Sequence, residues 1–265
     1  SIAADITFFF PKHIYGETQM SGIYVHIPFC KQKCTYCDFA SYPHETGKAD
    51  LYFGCLYREM KGRAESLKDY VFDTVYFGGG TPSFVEPKFI AGAMKQLKNY
   101  YRIDNDAEIT IEMNPGTVTK EKVDLYKKAG FNRFSIGLQS ADDETLRKLN
   151  RIHTAEDFLG TTELLKGENV SADILVGLED QTAEDVKKSI DLAIKGGVSH
   201  ISMYALKPEE GTPMFGKYLN GDLPSEDETA DLYDFGVNYL SENGFYRYEI
   251  SNFAKPGFES KHNLN

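Results

Sequence analysis

Three of the four cysteines of this chain crowd into the run Cys30-Lys-Gln-Lys-Cys34-Thr-Tyr-Cys37. At that spacing one loop can bring three sulfurs to a single centre, and thiolates are ligands of zinc and of iron–sulfur clusters. A disulfide framework is the poorer reading, because the longest early apolar run, residues 6–11 around Phe8, Phe9 and Phe10, lacks the charged flank and the length of a secretory signal. A structural zinc site closes with four ligands, and the candidates for the fourth are His26, His44 and Cys55. Cys55 falls in the helical stretch 51–60 beside Leu56 and reads as a buried core thiol, while His26 reads as a satisfied histidine within the first strand. A [4Fe-4S] cubane on Cys30, Cys34 and Cys37 instead leaves one iron open for a substrate or cofactor.

Further groups with chemical potential lie at or just after apolar runs. Gly78, Gly79 and Gly80, followed by Thr81, come straight after residues 74–77, where a backbone free of Cβ can approach a ligand. Glu112 ends a run with Ile109, Ile111 and Met113, and its carboxylate can accept hydrogen bonds from amines or hydroxyls. Gln139 just past residues 133–137, and Asp173 beside Ile174, Leu175 and Val176, bring polar groups into apolar surroundings; a buried Asp requires a partner. Arg151 offers a planar two-donor fork for a carboxylate, with a surface ion pair to Asp143 or Glu144 as its plainer role.

These residues need a scaffold that gathers strand ends. From Ile23 onward, short apolar runs alternate with amphipathic stretches, and the period switches between about 2 and about 3.6 residues. Strands are predicted at 23–27, 74–77, 108–113, 133–137, 171–176 and 200–203. Thr182 with Asp185 three residues on predicts the start of a helix that carries Val186, Ile190, Ala193 and Ile194 on one face and stops at Gly196 and Gly197; residues 119–130 repeat the design. Six strands with helices between imply an α/β fold with a parallel sheet, doubly wound or curled into all or part of a βα barrel, with the active site at the strands' C-terminal ends. Residues 1–20 share no pattern with this and read as an N-terminal extension; 21–215 read as the βα core. Residues 216–265 read as the start of a C-terminal segment, with a helix over 225–243, a strand at 246–250, and an expected truncation at Asn265, where no closing element follows.

Composition narrows the function. The 265 residues are 41% apolar and 26% charged, which excludes disorder, and the net charge of -11 gives no general pull towards nucleic acid or an anionic membrane. No apolar run approaches the roughly 20 residues of a membrane span. A soluble, cytoplasmic protein is expected.

The spacing C-x3-C-x2-C with Tyr36 before the last cysteine resembles the radical S-adenosylmethionine (SAM) superfamily. Tyr24-Val-His-Ile-Pro-Phe-Cys30, Cys37-Asp-Phe39, Gly78-Gly-Gly-Thr-Pro82, Glu112-Met-Asn-Pro115, Ser135-Ile-Gly-Leu-Gln-Ser140, Asn150-Arg-Ile-His153 and Tyr248-Glu-Ile-Ser-Asn-Phe253 are together similar to the oxygen-independent coproporphyrinogen dehydrogenase (HemN-like) family, over about residues 21–265. The resemblance implies a partial βα barrel of about six strands. It also implies that Cys30, Cys34 and Cys37 hold a [4Fe-4S] cluster, that SAM chelates the open iron, and that an electron from a donor yields methionine and a 5'-deoxyadenosyl radical. The family match puts Gly80 and Thr81 at the methionine end of SAM, Glu112 on its amine or ribose hydroxyls, and Gln139 and Asp173 on ribose or adenine. It puts Arg151 on the carboxylate, Tyr24 and Tyr36 near the methionyl group and adenine, and the Ala205 backbone at the adenine edge. His262-Asn263 matches the start of a motif that in the family continues Tyr-Trp, which makes His262 a heme-ligand candidate.

Two branches share these motifs. The dehydrogenases carry a further Cys two residues after the third ligand; Phe39 stands there in this chain, as in HemW-type proteins, for which the resemblance implies heme binding and delivery to an acceptor protein. Heme or porphyrin is thus an expected partner. The alternatives are a coproporphyrinogen dehydrogenase, which would take hydrogen from each propionate so that CO2 leaves and a vinyl remains, and a zinc-stabilised binding module.

Overall fold

The computed structural model describes residues 5–9, 21–43 and 45–264. β1 (Ile6–Phe9), β2 (Gly22–Ile27), β3 (Phe29–Cys30) and β4 (Tyr42–Pro43) precede α1 (Ala49–Arg63) and β5 (Val71–Gly79); α2 (Pro87–Tyr100), β6 (Arg102–Met113), α3 (Lys120–Ala129) and β7 (Arg133–Gln139) follow. The second half runs through α4 (Asp143–Lys148), α5 (Ala155–Leu164), β8 (Asn169–Val176), α6 (Ala183–Lys195), β9 (His200–Ala205), α7 (Pro213–Asn220), α8 (Glu226–Glu242), β10 (Tyr246–Arg247) and β11 (Asn252–Ala254).

β2, β5, β6, β7, β8 and β9 lie side by side in sequence order, each parallel to the next. They are the six strands predicted from the alternating periods. β1 adds antiparallel to β2 at one edge, and β11 with β10 adds antiparallel to β9 at the other. Among the described residues the two edges do not pair, so the sheet stays an open, partial barrel. Both edge additions come from outside residues 21–215: Ile6 is buried and Phe8 packs on Phe72 and Tyr101. The strand expected at 246–250 is shorter and becomes one arm of a hairpin, because Tyr248 turns inward to His200 Nε2 (2.7 Å) and Glu249 accepts from Ser251 N and Asn252 Nδ2.

Local signals set the helices. Thr182 and Asp185 form a capping box on α6, and Thr119 caps α3, which ends at Gly130 in the left-handed conformation (φ 108°). Ser225 and Glu228 form the same box on α8.

Strands covered on both faces by helices read as continuous apolar runs. These strands alternate instead. Val75, Phe77, Ile109, Ile111, Phe134, Ile136, Val170, Ala172, Ile201 and Met203 meet Leu56, Ile90, Leu97, Val123, Phe158, Val186, Ile190 and Leu240 of the helices in one core. The period of two turns Thr74, Tyr76, Glu108, Thr110, Glu112, Arg133, Ser135, Ser171, Asp173, His200 and Ser202 to the inner face. The apolar core therefore lies between sheet and helices, and the concave side is polar.

Candidate cofactor site

A cavity of about 400 Å³ is lined by residues from the C-terminal ends of the parallel strands and the 30–37 loop. Its wall includes Cys30, Cys34, Tyr36, Cys37, Gly80, Thr81, Glu112, Gln139, Arg151, Asp173 and Ala205, residues far apart in sequence that meet because six parallel strands end on the same side. Tyr24 does not line it: its ring stacks on Tyr76, with centroids 5.9 Å apart at 22°. His262 also lies elsewhere, with Nδ1 2.8 Å from Thr74 Oγ1.

The cysteine loop is pinned from several directions. Cys37 N donates to Cys34 O (3.2 Å), Thr35 N to Leu149 O (3.2 Å) and Met214 N to Thr35 O (3.0 Å). Gln32 Nε2 donates to Asn150 O (2.7 Å), and Asn150 Nδ2 returns a bond to Lys33 O (2.8 Å) from a left-handed backbone (φ 58°) that asparagine tolerates. Tyr36 is rooted against Leu149, Leu175, Leu178 and Met214. All three thiols are free, and burial raises the pKa of Cys30 and Cys37, a cost that a bound metal centre reverses by taking the thiolates.

Among the described residues no three His, Cys, Asp or Glu side chains converge where a single ion could sit. Cys55 is not the buried core thiol expected: α1 turns it to a half-buried position, where Sγ accepts from Arg58 Nη2 at 3.0 Å, and it is not among the cavity residues. His26 places Nε2 2.8 Å from Ala40 O. His44 lies outside the described residues.

The glycine run has a reason in packing that its sequence did not disclose. A Cβ at Gly78 would lie 2.9 Å from both Glu112 Cδ and Tyr76 Cε1, and one at Gly80 would lie 2.9 Å from the carbonyl oxygens of Ile27 and Phe29. The amides of this loop are engaged within the chain: Gly79 N on Glu112 Oε2 (3.1 Å), Gly80 N on Ile27 O (2.8 Å) and Thr81 N on Phe29 O (2.8 Å). What remains towards the cavity is bare backbone and the Thr81 hydroxyl, which donates to Cys30 Sγ at 3.6 Å.

Two carboxylates face the same space. Burial raises Glu112 to about 7, with the charge of Asp173 adding to the shift against Tyr76, the Gly79 amide and Arg133. Burial likewise raises Asp173 to about 6 against Ser202, Arg133, Ser135 and Arg151. Ser135 Oγ donates to Asp173 Oδ1 at 3.4 Å, which supplies the partner a buried Asp requires. The pair favours a cationic ligand, which would recover the ionised form of both.

Arg151 makes no surface ion pair with Asp143, whose Oδ1 accepts from Ala155 N. Its Nη2 donates to Gly137 O (2.7 Å), its Nη1 reaches Cys34 Sγ (3.5 Å), and its Nε is buried without a partner. Gly137 makes the room: a Cβ there would lie 2.8 Å from Arg151 Nη2 and 2.9 Å from Gln139 Nε2. Gln139 itself sits at a bulge in the β7–β8 pairing with φ 68°, which turns its side chain into the cavity.

Tyr76, Arg133, Ser135, Ser202 and Tyr204 escaped sequence reasoning. Their signal was present as polar residues at every second position of apolar strands.

Residues 24–193 match the profile of the Radical SAM superfamily. The chain belongs to the radical SAM superfamily. Within it, the chain is 37% identical over 92% of its length to the heme chaperone HemW of Buchnera aphidicola subsp. Schizaphis graminum and 34% identical over 92% to that of Bacillus subtilis. It covers 65% and 66% of those radical SAM relatives, so it spans slightly less than two thirds of their length. Among solved radical SAM structures, the coproporphyrinogen III oxidase HemN of Escherichia coli matches 88% of this chain with a TM-score of 0.80 at 26% identity, over 55% of that chain. The superfamily implies a [4Fe-4S] cluster and SAM, and the three-thiol loop beside a polar cavity fits both.

Proposed function

We propose that this chain binds a [4Fe-4S] cluster through Cys30, Cys34 and Cys37, seats SAM in the adjoining cavity, and takes part in heme binding and delivery as a HemW-type protein. When bound, the cluster and SAM supply one-electron chemistry; the chain binds, orients and shields. Arg151 offers its fork to the SAM carboxylate, and Gly80 and Thr81 flank the methionyl end. Glu112 accepts from the amine or the ribose hydroxyls, and Gln139 and Asp173 meet ribose or adenine. Tyr36 and the Ala205 backbone border adenine, while Tyr24 acts from behind Tyr76. An electron donor and a heme-acceptor protein complete the partners, and free cysteines beside an oxygen-labile centre suit a reducing, cytoplasmic setting. No helix among the described residues is long and apolar enough to cross a membrane.

The observation that carries the branch is Phe39. It lines the cavity, is 63% exposed, and offers a flat apolar ring at the position where the resemblance implies a cysteine for the dehydrogenase branch. A groove of about 710 Å³ supports a porphyrin partner: it shares Tyr204, Ala205, Leu206 and Lys207 with the SAM cavity and continues past Tyr218, Leu223, Tyr233 and Ile250. Aromatic and aliphatic walls suit a macrocycle, and the Lys207 ammonium suits a propionate.

The test is anaerobic reconstitution followed by parallel assays, heme titration in one sample and CO2 release from coproporphyrinogen with SAM and reductant in the other. Heme binding without multi-turnover decarboxylation is expected. Steady CO2 release would replace the chaperone reading with the dehydrogenase.

A further inference from the structure

Three rings stand in a stack on the inner side of the sheet. Tyr76 stacks on both Tyr24 (5.9 Å, 22°) and His262 (5.0 Å, 26°), and Phe9 meets His262 edge-to-face at 5.3 Å. The Tyr76 hydroxyl donates to Glu112 Oε1 at 2.9 Å, and the other carboxylate oxygen takes the Gly79 amide. Gly78 leaves out a side chain just where this pair meets.

His262 reaches the stack from the far end of the chain. Ser260 Oγ, Lys261 N and His262 N all donate to the buried Glu108 carboxylate at 3.2, 3.1 and 3.2 Å, and His262 Nδ1 pairs with Thr74 Oγ1. Burial lowers the His262 pKa to about 4, so the ring packs as a neutral one. Thr74 and Glu108 precede Tyr76 and Glu112 along β5 and β6, so the docked segment meets Tyr76 from the N-terminal side of these strands. Groups facing Glu112 are Tyr24 on β2, Tyr76 on β5, Arg133 on β7, Asp173 on β8 and Tyr204 on β9; among the described residues Tyr76 is the side chain that hydrogen-bonds it.

We propose that Tyr76 is a positioning residue that fixes the Glu112 carboxylate for SAM, and that His262 seats Tyr76, so the docking of the C-terminal segment governs how tightly SAM is held. The proposal rests on the reading of Glu112 as a SAM contact.

The full chain, reconstituted anaerobically, is titrated with SAM by equilibrium dialysis between about pH 5.5 and 8.5 as wild type, Tyr76→Phe, His262→Ala, the double variant, His262→Phe and Glu112→Gln, with iron content and thermal midpoint recorded for each. Tyr76→Phe keeps the ring but loses the donor. It should bind SAM about tenfold more weakly with iron retained, and its acid limb should move to higher pH because a bond favouring the ionised carboxylate is gone. His262→Ala should act in the same direction and add little in the Tyr76→Phe background, while His262→Phe, which keeps a ring under Tyr76, should bind SAM as wild type. Unchanged affinity and pH limb in Tyr76→Phe would overturn the proposal, as would a full His262→Ala effect in that background. Should His262→Ala not fold, weak binding by an iron-loaded His262→Phe would overturn the seating role. Wild-type binding by Glu112→Gln would instead overturn the underlying SAM contact.

Discussion

The guanidinium of Arg151 ties the cysteine loop to the sheet, with Nη1 3.5 Å from Cys34 Sγ and Nη2 2.7 Å from Gly137 O. Its Nε is buried and unpaired, which is costly unless a ligand supplies an acceptor. In the proposed site this guanidinium, beside the thiols, is the group that would meet the SAM carboxylate.

Arg151→Lys keeps the charge but loses the fork, so SAM affinity should fall roughly 10- to 100-fold with iron content unchanged, measured by SAM binding to the reconstituted protein. Full retention of affinity would remove Arg151 from the site.

Gly137→Ala should reproduce part of that loss without touching any ligand atom, because the added Cβ would press on Arg151 Nη2 and Gln139 Nε2. A wild-type SAM affinity in this variant would show that neither side chain is needed in its present position.

Replacing Cys30, Cys34 or Cys37 by Ala should strip the iron, whereas Cys55→Ala should leave it, since Cys55 is not among the cavity residues. Iron and sulfide analysis after anaerobic reconstitution decides the matter, and loss of the cluster from Cys55→Ala would contradict the three-ligand site.

The raised carboxylates predict a pH signature. With native values of about 7 for Glu112 and about 6 for Asp173 against ordinary values of 4.5 and 3.8, the native state holds more protons than the unfolded one across that window. Their contribution to stability is therefore fullest below the ordinary values and declines as pH rises through the native ones. SAM, a cation, should offset this, so the rise in melting temperature on adding SAM should be larger at about pH 7.5 than at about pH 5.5. A shift independent of pH would separate SAM from these carboxylates.

Ile250→Asp places a charge in the apolar groove, where Ile250 is 73% exposed, and should leave folding intact. Heme titration should weaken at least about tenfold while SAM binding holds. Equal heme affinity would move the porphyrin elsewhere.

The sequence by itself marked three thiols on one loop and the six strands, because both signals are local. Cys30, Cys34 and Cys37 are neighbours on one loop, and strand and helix announce themselves by hydrophobic period and by caps such as Thr182 with Asp185. It also marked Glu112, Gln139, Arg151 and Asp173 as polar residues near strand ends. Only the tertiary structure decided what each touches. Gly137 is small because Arg151 passes over it, and Gly78 because Tyr76 meets Glu112 there; both pairings join residues distant in sequence, and no local rule specifies them. Tyr76, Arg133 and His200 were visible as every second residue of apolar strands, but which face of the sheet is concave and polar depends on where the helices pack. The C-terminal segment reads as an open end in sequence, and its docking of His262 beneath Tyr76 depends on Glu108, more than 150 positions away along the chain, turning inward to receive three donors.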